Sequence, residues 1–175
     1  MQHVKVWDPL VRLFHWSLAT CFLLNMAFTE EGKYTHRMVG YVALGLVAFR
    51  VLWGFIGSRH ARFADFVPAP ARLLDYLRSL KRGKAPRYLG HNPAAAMMIL
   101  ALMGGMLLLG FTGWLATTDA FFGEDWLTDL HGLIADGMLG MIVIHVSAAI
   151  IESLRHRENL IISMVTGRKR AEEVE

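Results

Sequence analysis

The stretch TDLHGLIADGMLGMIVIHVSAAIIESL, Thr128 to Leu154, is long and apolar enough to cross a hydrocarbon core, yet it carries two histidines. About 20 helical residues suffice for such a crossing, and ionisable groups inside one are rare and usually functional. His131 and His145 are 14 residues apart, which is about four helical turns, so both rings share one face. At about 1.5 Å per residue they stand roughly 21 Å apart along the axis. One metal ion cannot reach both, so each histidine needs its own partner elsewhere in the chain.

Working outward, three more apolar runs reach spanning length, at 9–28, 35–56 and 93–117, with 128–154 as the fourth. Asp8-Pro9 and Asn92-Pro93 give two of them a capping side chain followed by a proline in the first turn, where a helix tolerates proline. The composition agrees: 54% of the 175 residues are hydrophobic and 19% charged, with a mean hydropathy of +0.37, unusual for a soluble fold of that size. The first run continues at spanning length without a small-residue cleavage site, so it reads as a retained helix and not a secretory leader. Cys21, the single cysteine, sits inside that run and cannot form an internal disulfide.

The net charge of +3 does not point to nucleic acid, because the basic residues are sorted by loop and not gathered on a recognition motif. Between the second and third runs, the loop 57–92 holds Arg59, Arg62, Arg72, Arg78, Lys81, Arg82, Lys84 and Arg87 against Asp65 and Asp75. The positive-inside bias makes that loop cytoplasmic. The connections with Glu30, Glu31 and Lys33 and with Asp119, Glu124 and Asp125 then face the periplasm. Lys5 and Arg12 at one end, and Arg155, Arg157, Arg168, Lys169 and Arg170 in the tail 155–175, put both termini inside. Within the loop, Pro68 to Arg82 reads as an amphipathic helix on the membrane surface, and Glu158 to Gly167 as a second. Either face could instead dock a partner. The expectation is one all-α membrane domain: a four-helix transmembrane bundle with short amphipathic surface helices on the cytoplasmic side.

Depth supplies partners for the two histidines. The first run travels outward and puts His15 near its inner end, the level that His145 reaches on the inward fourth run. His36 opens the second run at the outer side, level with His131. Two facing imidazoles in an apolar helical core suit a six-coordinate haem iron, and two layers suit two b-type haems. A zinc or copper site would need three or four close ligands, and a di-iron site carboxylates alternating with histidines. Arg50, 14 residues after His36, lies on the same face at the level of the inner pair and could meet a haem propionate; snorkelling to the interface is the plainer alternative. Glu152 faces inward near the inner edge, in a proton-handling role or in an interfacial ion pair. The span glycines and the ten methionines are explained by close helix approach and by core filling.

The runs DPLVRLFHW, HRMVGY, YLGHNPAA, TGW, DLH ahead of MIVIH, and RENLIISMVTGRKR resemble the bacterial cytochrome b-561 type family, which includes the b-type subunit of nickel-iron hydrogenases. The resemblance covers nearly the whole chain. It implies His15 with His145 for a cytoplasmic-side haem and His36 with His131 for a periplasmic-side haem. It further implies residence in the bacterial inner membrane and electron exchange between membrane quinone or quinol and a periplasmic redox partner, a c-type cytochrome or an enzyme subunit. Arg12, His91 and Glu152 stand near the cytoplasmic edge as candidates for a quinone site, although His91 also fits a simple helix-start turn. Two other readings compete: a stand-alone oxidoreductase that takes electrons from a small donor such as superoxide, with Lys33 and Arg37 as a cationic entrance, and a haem-free anchor of a larger complex. A homo-oligomer remains open.

Overall fold

In the computed structural model, which describes residues 2–171, the elements run β1 (His3–Lys5), α1 (Pro9–Ala27), α2 (Tyr34–Ile56), α3 (Phe63–Phe66), α4 (Pro70–Lys81), α5 (Pro93–Leu115), α6 (Asp125–Arg155), α7 (Leu160–Thr166) and β2 (Arg168–Arg170). The last four residues of the tail 155–175 lie outside the described residues. Helices α1, α2, α5 and α6 have the length and apolar composition to cross a membrane. Their outward side chains carry no polar cover: Leu23, Leu52, Phe55, Leu108, Phe111, Val143 and Ile151 are all exposed. An apolar surface of that extent requires lipid around it.

Local chemistry sets the helix ends. The Val11 backbone N–H donates to Asp8 Oδ1 at 2.9 Å and that of Ala95 to Asn92 Oδ1 at 2.8 Å, so the caps ahead of Pro9 and Pro93 fall where the sequence places them. Helix α6 begins at Asp125, three residues before the expected Thr128, because an acidic first turn complements the helix N-terminus. Asn159 caps α7 through Oδ1, which accepts from Ile162 N at 2.9 Å. Gly167 ends that helix at φ 79°, where a Cβ would stand 2.6 Å from the Trp7 carbonyl oxygen. Only glycine meets both demands.

Contacts divide the chain into two compact units. The first comprises Met1–Arg12, Leu52–Leu100 and Ile144–Glu175. Here β1 pairs antiparallel with β2, His3 opposite Arg170 and Lys5 opposite Arg168, a pairing that the sequence did not announce. Tyr76 of α4 is buried, edge-on to Tyr88 at 5.8 Å, while Leu74, Leu77 and Leu80 remain exposed along the helix. The second unit comprises Leu13–Val51 and Ala101–Val143. Its helices approach closely where glycine stands: a Cβ on Gly105 would fall 2.2 Å from Met138 Sδ, and one on Gly110 2.1 Å from Leu44 Cδ2. Val47, Ala43, Met106 and Met138 are buried there.

Candidate functional site

Within the second unit, His36 on the first turn of α2 and His131 on α6 face each other with ring centres 6.1 Å apart and planes at 66°. With metal–imidazole bonds of about 2 Å, and a ring centre about 1 Å behind each bonding nitrogen, two imidazoles sharing one metal ion stand roughly 6 Å apart. Each ring has one nitrogen engaged. His36 Nδ1 lies 3.0 Å from Thr29 Oγ1, and His131 Nδ1 lies 2.9 Å from Thr112 Oγ1. Nε2 of each ring is the nitrogen left for a ligand. Asn25 ties α1 to the start of α2 by donating from Nδ2 to the His36 carbonyl at 3.0 Å. Gly113 lets α5 close on the second ring, since a Cβ there would stand 3.1 Å from His131 Cε1.

Both histidines line a cavity of about 420 Å³, with Phe22, Leu44, Met106 and Gly132 among the residues around it. Nothing lies within 4 Å of the place a Gly132 Cβ would occupy. Two imidazoles, largely apolar walls and glycine where bulk would intrude form the donor set and the shape that a flat iron macrocycle needs. A haem therefore fits the residues present. Arg37 and Glu31 also reach the cavity wall, whereas Lys33 is an exposed partner of Glu30 at 3.9 Å.

The other expected site residues are placed separately. His15 belongs to the second unit and His145 to the first; both are half-buried, and the His15 ring meets Trp16 edge-on at 5.0 Å. Arg50 is 3% exposed on α2, a degree of burial at odds with a side chain that merely snorkels. Among the quinone candidates, Arg12 donates to the Val165 carbonyl, and His91 packs tilted against Trp7 at 4.5 Å and edge-on to Phe66 at 5.3 Å. Glu152 pairs with Arg155 at 3.5 Å and His156 at 3.2 Å. Three different sets of neighbours hold these three side chains.

A second polar cluster in the first unit went unread in the sequence. Arg87 grips Glu158 with Nη2 to Oε2 at 2.9 Å and Nε to the same oxygen at 3.2 Å. Arg87 also donates to the Arg170 carbonyl at 2.6 Å. Although burial works against it, hydrogen bonds from Arg170 N and Arg87 hold the Glu158 carboxyl below the usual carboxylate range. Lys169, buried and donating to the Tyr88 carbonyl at 2.9 Å, is pushed down to about 8 by that burial. Charged residues of the tail are thus structural members of this unit.

Spanning helices and a facing pair of half-buried imidazoles define a membrane haem protein of the electron-transport class. The prokaryotic cytochrome b561 family matches the chain over residues 6–167, and the chain belongs to that family. Relatives named "Probable Ni/Fe-hydrogenase B-type cytochrome subunit" include one from Rhodobacter capsulatus, 27% identical across 95% of this chain and 81% of the relative. Another, from Cupriavidus necator, is 28% identical across 93% and 85%, and one from Azotobacter chroococcum is 32% identical across 77% and 67%. No solved structure matches.

Proposed function

We propose that this chain is the membrane cytochrome subunit of a hydrogenase-type complex, carrying single electrons between a periplasmic redox subunit and membrane quinone through two b-type haems. The observation that carries the reading is the His36–His131 pair, 6.1 Å between ring centres with both Nδ1 atoms engaged. The names of the relatives support a hydrogenase subunit as the partner. His15 and His145 are the ligands proposed for the second haem, on the evidence of helical depth, with Arg50 beside a propionate. Haem supplies the one-electron ferric–ferrous couple when bound.

The protein's own residues hold and insulate. His36 and His131 would hold the iron from two helices, Phe22, Leu44 and Met106 would keep water from the bound group, and Arg37 would offer a cation at the wall. The loop 57–92 and the tail 155–175 are proposed as cytoplasmic parts of one membrane domain, with α4 and α7 along the lipid surface. Arg12, His91 and Glu152 remain the proposed quinone contacts near that edge.

Purified protein should give a reduced-minus-oxidised b-type spectrum and two haems per chain by pyridine haemochrome assay. His36→Ala and His15→Ala should each remove one haem and spare the other. Retention of both in either variant would refute the pairing. Arg37 favours one second reading, in which a small anion such as superoxide delivers electrons at the outer pair. Glu31 on the same wall opposes it, and stopped-flow mixing with superoxide without partner should give no rapid haem reduction.

A further inference from the structure

Both rings of the outer pair meet a threonine hydroxyl through Nδ1, although the two threonines come from different parts of the chain. Thr112 Oγ1 lies 2.9 Å from the Leu108 carbonyl and 3.2 Å from that of Leu109. Thr29 Oγ1 lies 3.3 Å from the Asn25 carbonyl and 3.2 Å from Asn25 Oδ1. That amide's orientation is set by its other end, since Nδ2 donates to the His36 carbonyl at 3.0 Å. Apart from the imidazole, each hydroxyl is therefore surrounded by acceptors. A hydroxyl has one proton to give. Given to a carbonyl, it leaves only lone pairs for the ring, and Nδ1 must be the nitrogen that carries hydrogen.

We propose that Thr29 and Thr112 are a matched pair of positioning residues that lock His36 and His131 in the tautomer with a free Nε2 and lower the reduction potential of the haem they hold. The inference rests on the assignment of that haem to His36 and His131. Its physical basis is the relay from Nδ1–H to Oγ1–H to carbonyl. Drawing the Nδ1 proton toward oxygen makes each imidazole a stronger donor, and a stronger axial donor favours ferric iron over ferrous. Thr112 is 5% exposed, so water does not readily take over if its hydroxyl is removed. A threonine in an apolar helix ordinarily satisfies itself on a carbonyl one turn back, and here the same bond makes the oxygen available to the ring.

The test uses the full-length protein in detergent or nanodiscs, with potentiometric titration of both haems and low-spin ferric EPR. Thr112→Val and Thr29→Val preserve shape without the hydroxyl. Each should raise the midpoint potential of one haem, the same haem in both variants, and shift its EPR signal while the other haem stays put. Thr112→Ser, which keeps the hydroxyl, should restore the parental values. Unmoved potentials, shifts on different haems, or a serine variant that behaves like valine would overturn the proposal. Should Thr112→Val shed one haem, retention by Thr112→Ser supports the relay and loss from both refutes it. The underlying assignment fails separately, if His36→Ala and His131→Ala keep two haems.

Discussion

At the scale of single residues, the Arg87–Glu158 pair and Lys169 show buried charge used as a fastener. Side-chain exposures of 16% and 9% mean that neither Arg87 nor Glu158 can fall back on water. Removing one partner strands the other, which typically costs about 3–5 kcal/mol. Arg87→Met should lower stability by roughly that amount, measured as reversible unfolding in mixed micelles. The two titrating groups act in separate pH windows. Glu158 is held below its ordinary value of 4.5, so its stabilisation is complete above that value and is lost as pH falls through the folded-state pKa. Lys169 is lowered from 10.5 to about 8. Between those values the unfolded chain binds more protons, so stability rises with pH across the window. In Lys169→Met that upward slope should flatten, and a slope unchanged from the parent would show that the burial does not perturb Lys169. None of this was legible in the sequence, where Arg168, Lys169 and Arg170 read as an ordinary basic tail. Only the tertiary fold brings Glu158 and the Tyr88 carbonyl to them. The same holds for Thr29 and Thr112, because nothing in a threonine's neighbours along a helix says which ring lies across from it.

Among the elements, legibility followed the length of the pattern. Helices α1 and α5 start at the prolines the sequence marked, because cap and proline act within one turn. Helix α4 starts two residues inside the expected Pro68 and stops at Lys81. Strands β1 and β2 are three residues each, His-Val-Lys and Arg-Lys-Arg, too short for an alternation to register. Their pairing arises instead from backbone contacts such as Val6 N and Trp7 N to the Gly167 carbonyl at 2.9 and 3.1 Å. Spacing of helices α2 and α5 depends on glycine, most sharply at Gly110. With an added Cβ 2.1 Å from Leu44 Cδ2, Gly110→Ala must displace a side chain in the wall of the histidine cavity. Overpacking of that kind costs about 1–3 kcal/mol. Gly110→Ala should therefore lower stability by roughly that amount, and Leu44→Ala in the same chain should recover part of it. Additive losses in the double variant would mean that the two residues do not compete for one space.

For the whole molecule, charge distribution carries a prediction of orientation. The loop 57–92 contains eight lysines and arginines against two aspartates, whereas the connections before α2 and α6 are acidic on balance. Basic residues in short loops resist translocation, and this bias dominates when loops lie close to the spans. An even number of crossings returns a chain to its starting side, so with four candidate spans one side assignment predicts the side of every loop. Green fluorescent protein fused after Arg170 should fluoresce in the intact bacterium, and alkaline phosphatase fused at the same point should be inactive. Phosphatase fused within the connection that holds Asp119 and Glu124 should be active. The opposite pattern would invert the molecule. It would move the His36–His131 pair to the cytoplasmic side and require the hydrogenase-type partner to dock there. A stronger form of the test neutralises Arg59, Arg62, Arg78, Lys81, Arg82 and Lys84 together. If loop charge is what orients the chain, that variant should give a mixed population, with phosphatase activity appearing at the C-terminal fusion. If the tail cations Arg155, Arg157 and Arg168 are sufficient, its orientation will not change. Comparing the two fusions thereby separates the loop from the tail as the segment the insertion machinery reads.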